Sequence, residues 1–338
     1  MKINTKQRKL VKILSIMVLL VILLLLISLN LGVVKISPMN VFQTLIGNGT
    51  PKDQFVLLEL RLPRMVLAIL IGAGLAVSGS ILQAISKNDL AEPGIIGINA
   101  GAGFAVVLFI FTFQGTMTGL SVLGIWLLPI FAFLGALTAA ALIYILAWKK
   151  GINPIRLVLV GIGVNSGFGA AITIMQIKMN PQDFMKAAVW LSGDIWGTNW
   201  NFVIAILPWF ILLIPYAIWK SHTLNILSLG DQLAIGLGTS LERERLKVLL
   251  VAVAIAGFCV AAGGGISFLG LVAPHIARKI MGPKHQLILP VAAIIGSFIL
   301  LLSDAIGQNL LSPTQISVGI VVAIISAPYF IYLLMKTN

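Results

Sequence analysis

ILSIMVLLVILLLLISLNL, residues 13–31, runs for nineteen residues without a charge. The hydrocarbon core of a bilayer takes about 20 apolar residues of helix, so this run reads as a membrane-spanning helix. Lys2, Lys6, Arg8, Lys9 and Lys12 precede it. A secretory signal also begins with positive charge, but here the apolar run is too long and no small-residue cleavage site follows. The expectation is an uncleaved first helix whose N-terminus stays in the cytoplasm. Further apolar runs follow at about 64–84, 92–113, 120–147, 155–177, 201–219, 246–266, 268–281, 288–307 and 315–335. The run at 268–281 is short and bounded by glycines and Pro283.

Composition agrees. Of 338 residues 59% are hydrophobic and 10% charged, against roughly 25% charged in an average soluble domain. A water-facing surface needs more charge than that, and disorder needs far less hydrophobicity. Ten spans make an all-α polytopic membrane protein, a single transmembrane domain over residues 1–338 with both termini on one side. The net charge of +13 fits topology better than nucleic acid, because cytoplasmic loops collect Lys and Arg. Ten spans put 17 of the 23 Lys and Arg inside and leave Lys35, Lys52, Arg61, Arg64, Lys178 and Lys186 outside, while the ten acids divide evenly.

Motifs narrow the chemistry. There is no GxxxxGK[ST] phosphate loop, no HExxH and no metal-spaced His/Cys cluster. The lone Cys259 lies in an apolar run and has no intrachain partner. His275 follows Pro274 inside a span; an intramembrane histidine is a functional candidate, with a plain hydrogen-bonding role as its alternative. Glycine-rich faces at Gly72, Gly74 and Gly79, at Gly97, Gly101 and Gly103, and at Gly161, Gly163, Gly167 and Gly169 point to close helix packing rather than to a ligand.

Three constellations remain. Arg61 and Arg64 flank Leu62-Pro63 at the outer end of the second span and share a face if the helix starts there. They pair with Glu59 or lipid phosphate, or they dock an acidic partner from outside. Residues 221–247, SHTLNILSLGDQLAIGLGTSLERERLK, are amphipathic and divided by Gly230 and Gly238. They read as short cytoplasmic helices seated in a groove of another protein, or as an interfacial helix lying on lipid. Gly263, Gly264 and Gly265, followed by Pro274, interrupt helical continuity at membrane depth, as the backbone beside a transport pathway does.

Read together, these blocks resemble the FecCD family of ABC importer permeases over nearly the whole chain. Arg61-Leu62-Pro63-Arg64 matches the family's RLPR. GAGLAVSGSILQAISKNDLAEPGIIG (72–97) matches its glycine-rich signature, and WLSGDIW (190–196) is similar to its W-x-x-G-S element. GDQLAIGLG (230–238), GGISFLGLVAPHIAR (264–278), GPKH (282–285) and SVGIVVAIISAPYFIYLL (317–334) follow in the family's order. Asp89 stands where the family usually has proline, and Gln308 where it usually has an external arginine.

The resemblance implies a ten-helix permease of a bacterial cytoplasmic membrane, paired with a second copy or a homologous permease. Two cytoplasmic ATPase subunits drive it and an extracytoplasmic binding protein delivers the cargo. It implies docking at Arg61, Arg64 and Gln308, ATPase coupling at Gly230, Asp231, Ala234 and Gly238, and helix-break or pathway roles for Gly263, Gly264, Gly265, Pro274 and His275. No cofactor, resident metal or nucleic acid is expected. The implied cargo is a ferric siderophore, with cobalamin and haem as alternatives. An ion-driven transporter would need buried carboxylates, and only Glu92 and Asp304, both near span ends, offer themselves. An intramembrane enzyme would need a paired catalytic constellation, which the sequence lacks.

Overall fold

The computed structural model describes residues 5–32, 34–113, 122–148, 154–195 and 198–336. Lys2 and Trp196, used above, lie outside them, as do Lys149 and Lys150 of the 17 Lys and Arg placed inside. The elements among the described residues are all helices: α1 (Thr5–Asn30), α2 (Pro38–Leu45), α3 (Pro51–Gln54) running through a π-helical turn (Phe55–Arg61) into α4 (Leu62–Ser86), α5 (Ile98–Thr112), α6 (Val122–Ala147), α7 (Pro154–Lys178), α8 (Pro181–Leu191), α9 (Trp200–Trp219), α10 (Ser221–Leu229), α11 (Asp231–Gly236), α12 (Leu241–Gly263), α13 (Leu269–Met281), α14 (His285–Asn309) and α15 (Val318–Lys336).

Local chemistry sets many of these starts. Ser37, Thr50 and Asn180 each precede a proline at the first helical position and accept a backbone N–H with the side chain. That is the N-cap and N1-proline arrangement that satisfies orphan donors at a helix start.

Each of the ten apolar runs falls on a helix. Seven helices among the described residues, α1, the π-turn with α4, α6, α7, α9, α12 and α14, are long and apolar enough to cross a membrane; α5 and Val318–Leu333 of α15 are shorter apolar helices. The run at 92–113 does not begin as a helix. Residues 89–97 form turns, with Gly97 at φ +93°, and α5 starts only at Ile98. At the other extreme α12 begins at Leu241, ahead of its apolar run, and carries a charged first turn with Glu242, Arg243, Glu244 and Arg245.

The helix α4 is the centre of the bundle. Of its most apolar stretch 78% is buried, against 17% for α7 and none for α1. It packs most extensively on α14, then on α12 and α13. The contact is backbone to backbone. A Cβ on Gly72 would overlap the Gly296 carbonyl of α14, one on Gly296 would overlap the Gly72 carbonyl, and one on Gly79 would overlap Gly270 of α13. Small residues permit this approach, which supplies the packing that holds helices together in lipid.

The chain's two ends come to one side of the bundle. Lys9 of α1 donates to the carbonyl of Ile280 near the end of α13 (2.7 Å). Lys279, one residue earlier, lies over the rings of Tyr329 and Tyr332 near the end of α15 (5.4 and 5.2 Å). The α10–α11 segment packs on the same side, against the start of α14 and the end of α4.

Candidate functional site

The head of α4 carries both sequence-flagged arginines, and the structure divides them. The π-turn widens the helix just before Arg64, and the two guanidiniums go to different neighbours. Arg61 is 8% exposed and donates to the carbonyls of Leu29 and Val34, at and beyond the end of α1. Arg64 crosses to α14: its Nε and NH2 both lie 2.8 Å from Asp304 Oδ1, and its NH1 donates to Gln315 Oε1 at 3.0 Å. Gln308 completes the carboxylate by donating to Asp304 Oδ2 at 2.7 Å. Glu59 is exposed and pairs with neither arginine among the described contacts. Arg61, Arg64 and Gln308 nevertheless meet as walls of one cavity of about 420 Å³, together with Thr198, Asn199 and Gln315.

The opposite side carries the segment between α9 and α12. Gly230 at φ +114° and Gly238 at φ +77° close α10 and α11, a left-handed backbone that only glycine adopts freely. A Cβ at either would meet open space, so conformation rather than crowding asks for glycine. Ala234 is fully buried, whereas Leu229, Leu233, Ile235 and Leu237 are each more than half exposed. Four large apolar side chains on one short segment make an apolar ridge, and such ridges mark interaction surfaces.

Polar contacts hold the segment to the bundle. Asp231 Oδ1 receives Lys87 at 2.7 Å and Arg245 at 2.8 Å. Partial burial raises the Asp231 carboxyl, but the Lys87 and Arg245 contacts outweigh it and hold it below the ordinary aspartate value. Asn225 of α10 donates to Gln286 (2.8 Å) and accepts the His285 backbone N–H (2.9 Å), while Gln286 in turn meets His222 (2.8 Å). Glu244 joins Lys220 (2.6 Å) to Lys247 (2.8 Å).

The helix break is real and differently used than its glycines suggest. α12 ends at Gly263 and α13 starts at Leu269, with Gly264 at φ +69° and Phe268 at φ +68° between them. A Cβ on Gly264 would overlap the Trp190 carbonyl, and one on Gly265 the Leu191 carbonyl. These glycines therefore admit the end of α8 to the break. Pro274 is buried within α13, whereas His275 turns edge-on to Tyr329 with ring centroids 5.8 Å apart. Neither His275 nitrogen has a hydrogen-bond partner among the described residues.

Three residues of consequence were outside the sequence reading of sites. Lys87 and Arg245 hold Asp231; their signal was only a loop lysine after a span and the charge alternation of LERERLK. Glu92, set down as near a span end, lies deep: it is 2% exposed and accepts the Phe268 backbone N–H at the start of α13. A Cβ on Gly270, one turn beyond, would sit 3.0 Å from the carbonyl of Leu75, midway along α4, and 3.6 Å from Glu92 Cβ. A buried carboxylate at a helix start offsets orphan donors there.

Comparison with known proteins closes the question of lineage. The iron(3+)-hydroxamate import system permease protein FhuG of Bacillus subtilis is 56% identical over 99% of this chain and 100% of its own. The iron-uptake system permease protein FeuC of the same organism is 42% identical over 91% of this chain and 93% of its own. A solved metal-chelate type ABC transporter in an inward-facing conformation superposes with a TM-score of 0.83, at 30% identity, over 96% of this chain and 99% of that one. The model of the FecCD transport family matches residues 19–336. The chain belongs to the FecCD transport family, as a non-catalytic membrane permease subunit of an ATP-binding-cassette importer.

Proposed function

We propose that this permease carries a ferric siderophore of the hydroxamate class inward, by alternating access driven by separate ATPase subunits. The carrying observation is the 56% identity, end to end, to an iron(3+)-hydroxamate import permease. Permeases named for iron uptake and for Fe(3+)-citrate import are each 42% identical. No cofactor takes part. ATP binding on the partner subunits shifts the bundle only by its differential affinity for the two states.

The chain crosses the bacterial cell membrane ten times, with the three shorter segments α5, α13 and α15 acting as spans supported by neighbouring protein. Both termini and the α10–α11 segment are cytoplasmic. This orientation is supported by the excess of Lys and Arg on that side and by the contacts that bring α1, α13 and α15 together there. An impermeant thiol reagent added outside is expected to label Lys52→Cys and to spare Lys284→Cys; the reverse pattern overturns the orientation.

The apolar ridge of Leu229, Leu233, Ile235 and Leu237 fits an ATPase groove, with Gly230, Asp231, Ala234 and Gly238 shaping the segment. The open face of α7 fits a second permease, either a copy or a homologue. The arginine-walled cavity at the other side fits docking of an acidic binding-protein surface, with Arg61, Arg64 and Gln308 at its rim. The break at Gly263, Gly264 and Gly265, with Pro274 and His275 after it, is the stretch that flexes beside the pathway.

The test is uptake by proteoliposomes holding the permease with its ATPase subunits and binding protein. Ferric hydroxamate is expected to accumulate with ATP inside, and cobalamin and haem are not. Preference for cobalamin or haem overturns the cargo, and uptake driven by an ion gradient without ATP overturns the mechanism.

A further inference from the structure

Asp231 opens α11, yet its carboxylate turns back toward the bundle instead of joining the apolar ridge. Oδ1 sits between Lys87 Nζ at 2.7 Å and Arg245 NH2 at 2.8 Å. Arg245 is 1% exposed and also holds Glu242 at 3.2 Å. Lys87 is the residue that ends α4, in a left-handed conformation (φ 51°) that is unfavourable for a side-chain-bearing residue. One carboxylate thus joins the last residue of one span to the first turn of another. Charge-assisted hydrogen bonds of this length are directional as well as strong.

The two helices so joined are stiff. α4 is keyed into α14 and α13 by the backbone contacts at Gly72 and Gly79, and packed cores shift as bodies rather than deform. α12 runs uninterrupted from Leu241 to its break after Gly263. The short α11 has little else to fix it, since its large side chains Leu233, Ile235 and Leu237 point outward and only Ala234 is buried. Without Asp231, displacement of α11 would be absorbed at the two flanking glycines.

We propose that Asp231 is a positioning residue that clamps the α11 segment to α4 and α12 through Lys87 and Arg245, so that movement of the segment is delivered to those two spans, and that it is not itself an ATPase contact. The proposal rests on the coupling reading of α10–α11. It separates two jobs within nine residues, 229–237: the apolar ridge grips the partner and the carboxylate on the bundle side passes the motion on.

The test uses the full permease–ATPase complex in proteoliposomes. Asp231→Asn is expected to keep its ATPase subunits and their hydrolysis within about twofold, while transport per ATP falls severalfold, because the charge that holds both Lys87 and Arg245 is lost. Asp231→Glu is expected to recover most of the transport. Adding Lys87→Met to Asp231→Asn should change little beyond Asp231→Asn alone, since the Lys87 contact is already lost with the carboxylate charge. Spin labels on Gln232→Cys and Lys284→Cys of the full permease should give a broader distance distribution once Asp231→Asn is present. Wild-type transport per ATP in Asp231→Asn, or loss of its ATPase subunits, overturns the proposal. Leu233→Asp with Ile235→Asp tests the underlying reading: retained ATPase subunits there overturn both, whereas their loss there with unaltered transport in Asp231→Asn overturns the clamp alone.

Discussion

On α4, Gly72 and Gly79 face backbone; on α7, Gly163, Gly167 and Gly169 face nothing within 4 Å. In one dimension the two helices are alike, each an apolar span with glycines at helical spacing. In three they differ completely. The α4 glycines are filled by the carbonyls of α14 and α13, and α4 is the buried axis of the molecule. The α7 glycines lie on a face shared with Ile155, Leu159, Ile174 and Ile177, all strongly exposed, while Leu157, Gly161 and Ile172 on the opposite side pack inward. A glycine row is therefore a permit for close approach; for α4 the neighbour that uses it lies within this chain, whereas at Gly163, Gly167 and Gly169 of α7 no atom of this chain uses it.

The largest effect that separates the two faces is expected at Gly79. Gly79→Leu drives a side chain into the backbone of Gly270, and a backbone, unlike a flexible side chain, has no rotamer to yield. Overpacking costs about 1–3 kcal/mol, and more where the obstacle is backbone that cannot move aside. The variant should insert poorly and lose its monodisperse peak in detergent. Recovery of a wild-type melting temperature would mean that α4 and α13 can separate at Gly79 and Gly270, and that α4 is no more an internal axis than α7.

Arg64 sharpens the same contrast at the head of α4. Removing one partner of a buried pair leaves a bare charge and costs about 3–5 kcal/mol, whereas replacing both by apolar groups is often close to neutral. Arg64→Ala, which strands the fully buried Asp304, should therefore destabilise far more than Arg64→Met combined with Asp304→Leu, measured by thermal unfolding in detergent. The double variant also isolates docking from folding. Weakened binding-protein affinity in a well-folded double variant keeps Arg64 in the docking surface. Unchanged affinity assigns it to the internal latch and leaves Arg61, also turned inward to carbonyls, to account for the site alone.

What the sequence made legible follows from how local each signal is. Span positions are set by runs of apolar residues, and all ten runs fall on helices because burying backbone in lipid leaves little alternative. The Gly230 and Gly238 stops were legible because a left-handed residue at a helix end asks for glycine. Partner choice was not legible. Arg64 and Asp304 are 240 positions apart, and Lys87 and Asp231 are 144 apart; nothing near either arginine or lysine names its carboxylate. Depth was misread for the same reason. An apolar run from 92 to 113 puts Glu92 at the end of a helix, whereas Pro93, Gly94 and Gly97 turn the chain back into the bundle and bring the carboxylate to α13.

The smallest effect on the folded chain is expected on α7, and it is the most informative. Gly167→Leu adds a side chain where no atom of this chain lies within 4 Å. Glycine is also a poor helix former, about 0.8–1.0 kcal/mol less favourable than alanine, so the substitution removes a helix penalty without creating a clash. Stability of the isolated permease should change by no more than about 0.5–1 kcal/mol, in the stabilising direction if at all. Assembly should respond in the opposite sense. If a second permease approaches α7 as closely as α14 approaches α4, the new leucine holds the two apart, and the population of paired permease in detergent and transport both fall. The pair of measurements decides between the two uses of a glycine row: a destabilised monomer would mean that α7 packs within the chain after all, and intact pairing with intact transport would mean that its open face meets only lipid.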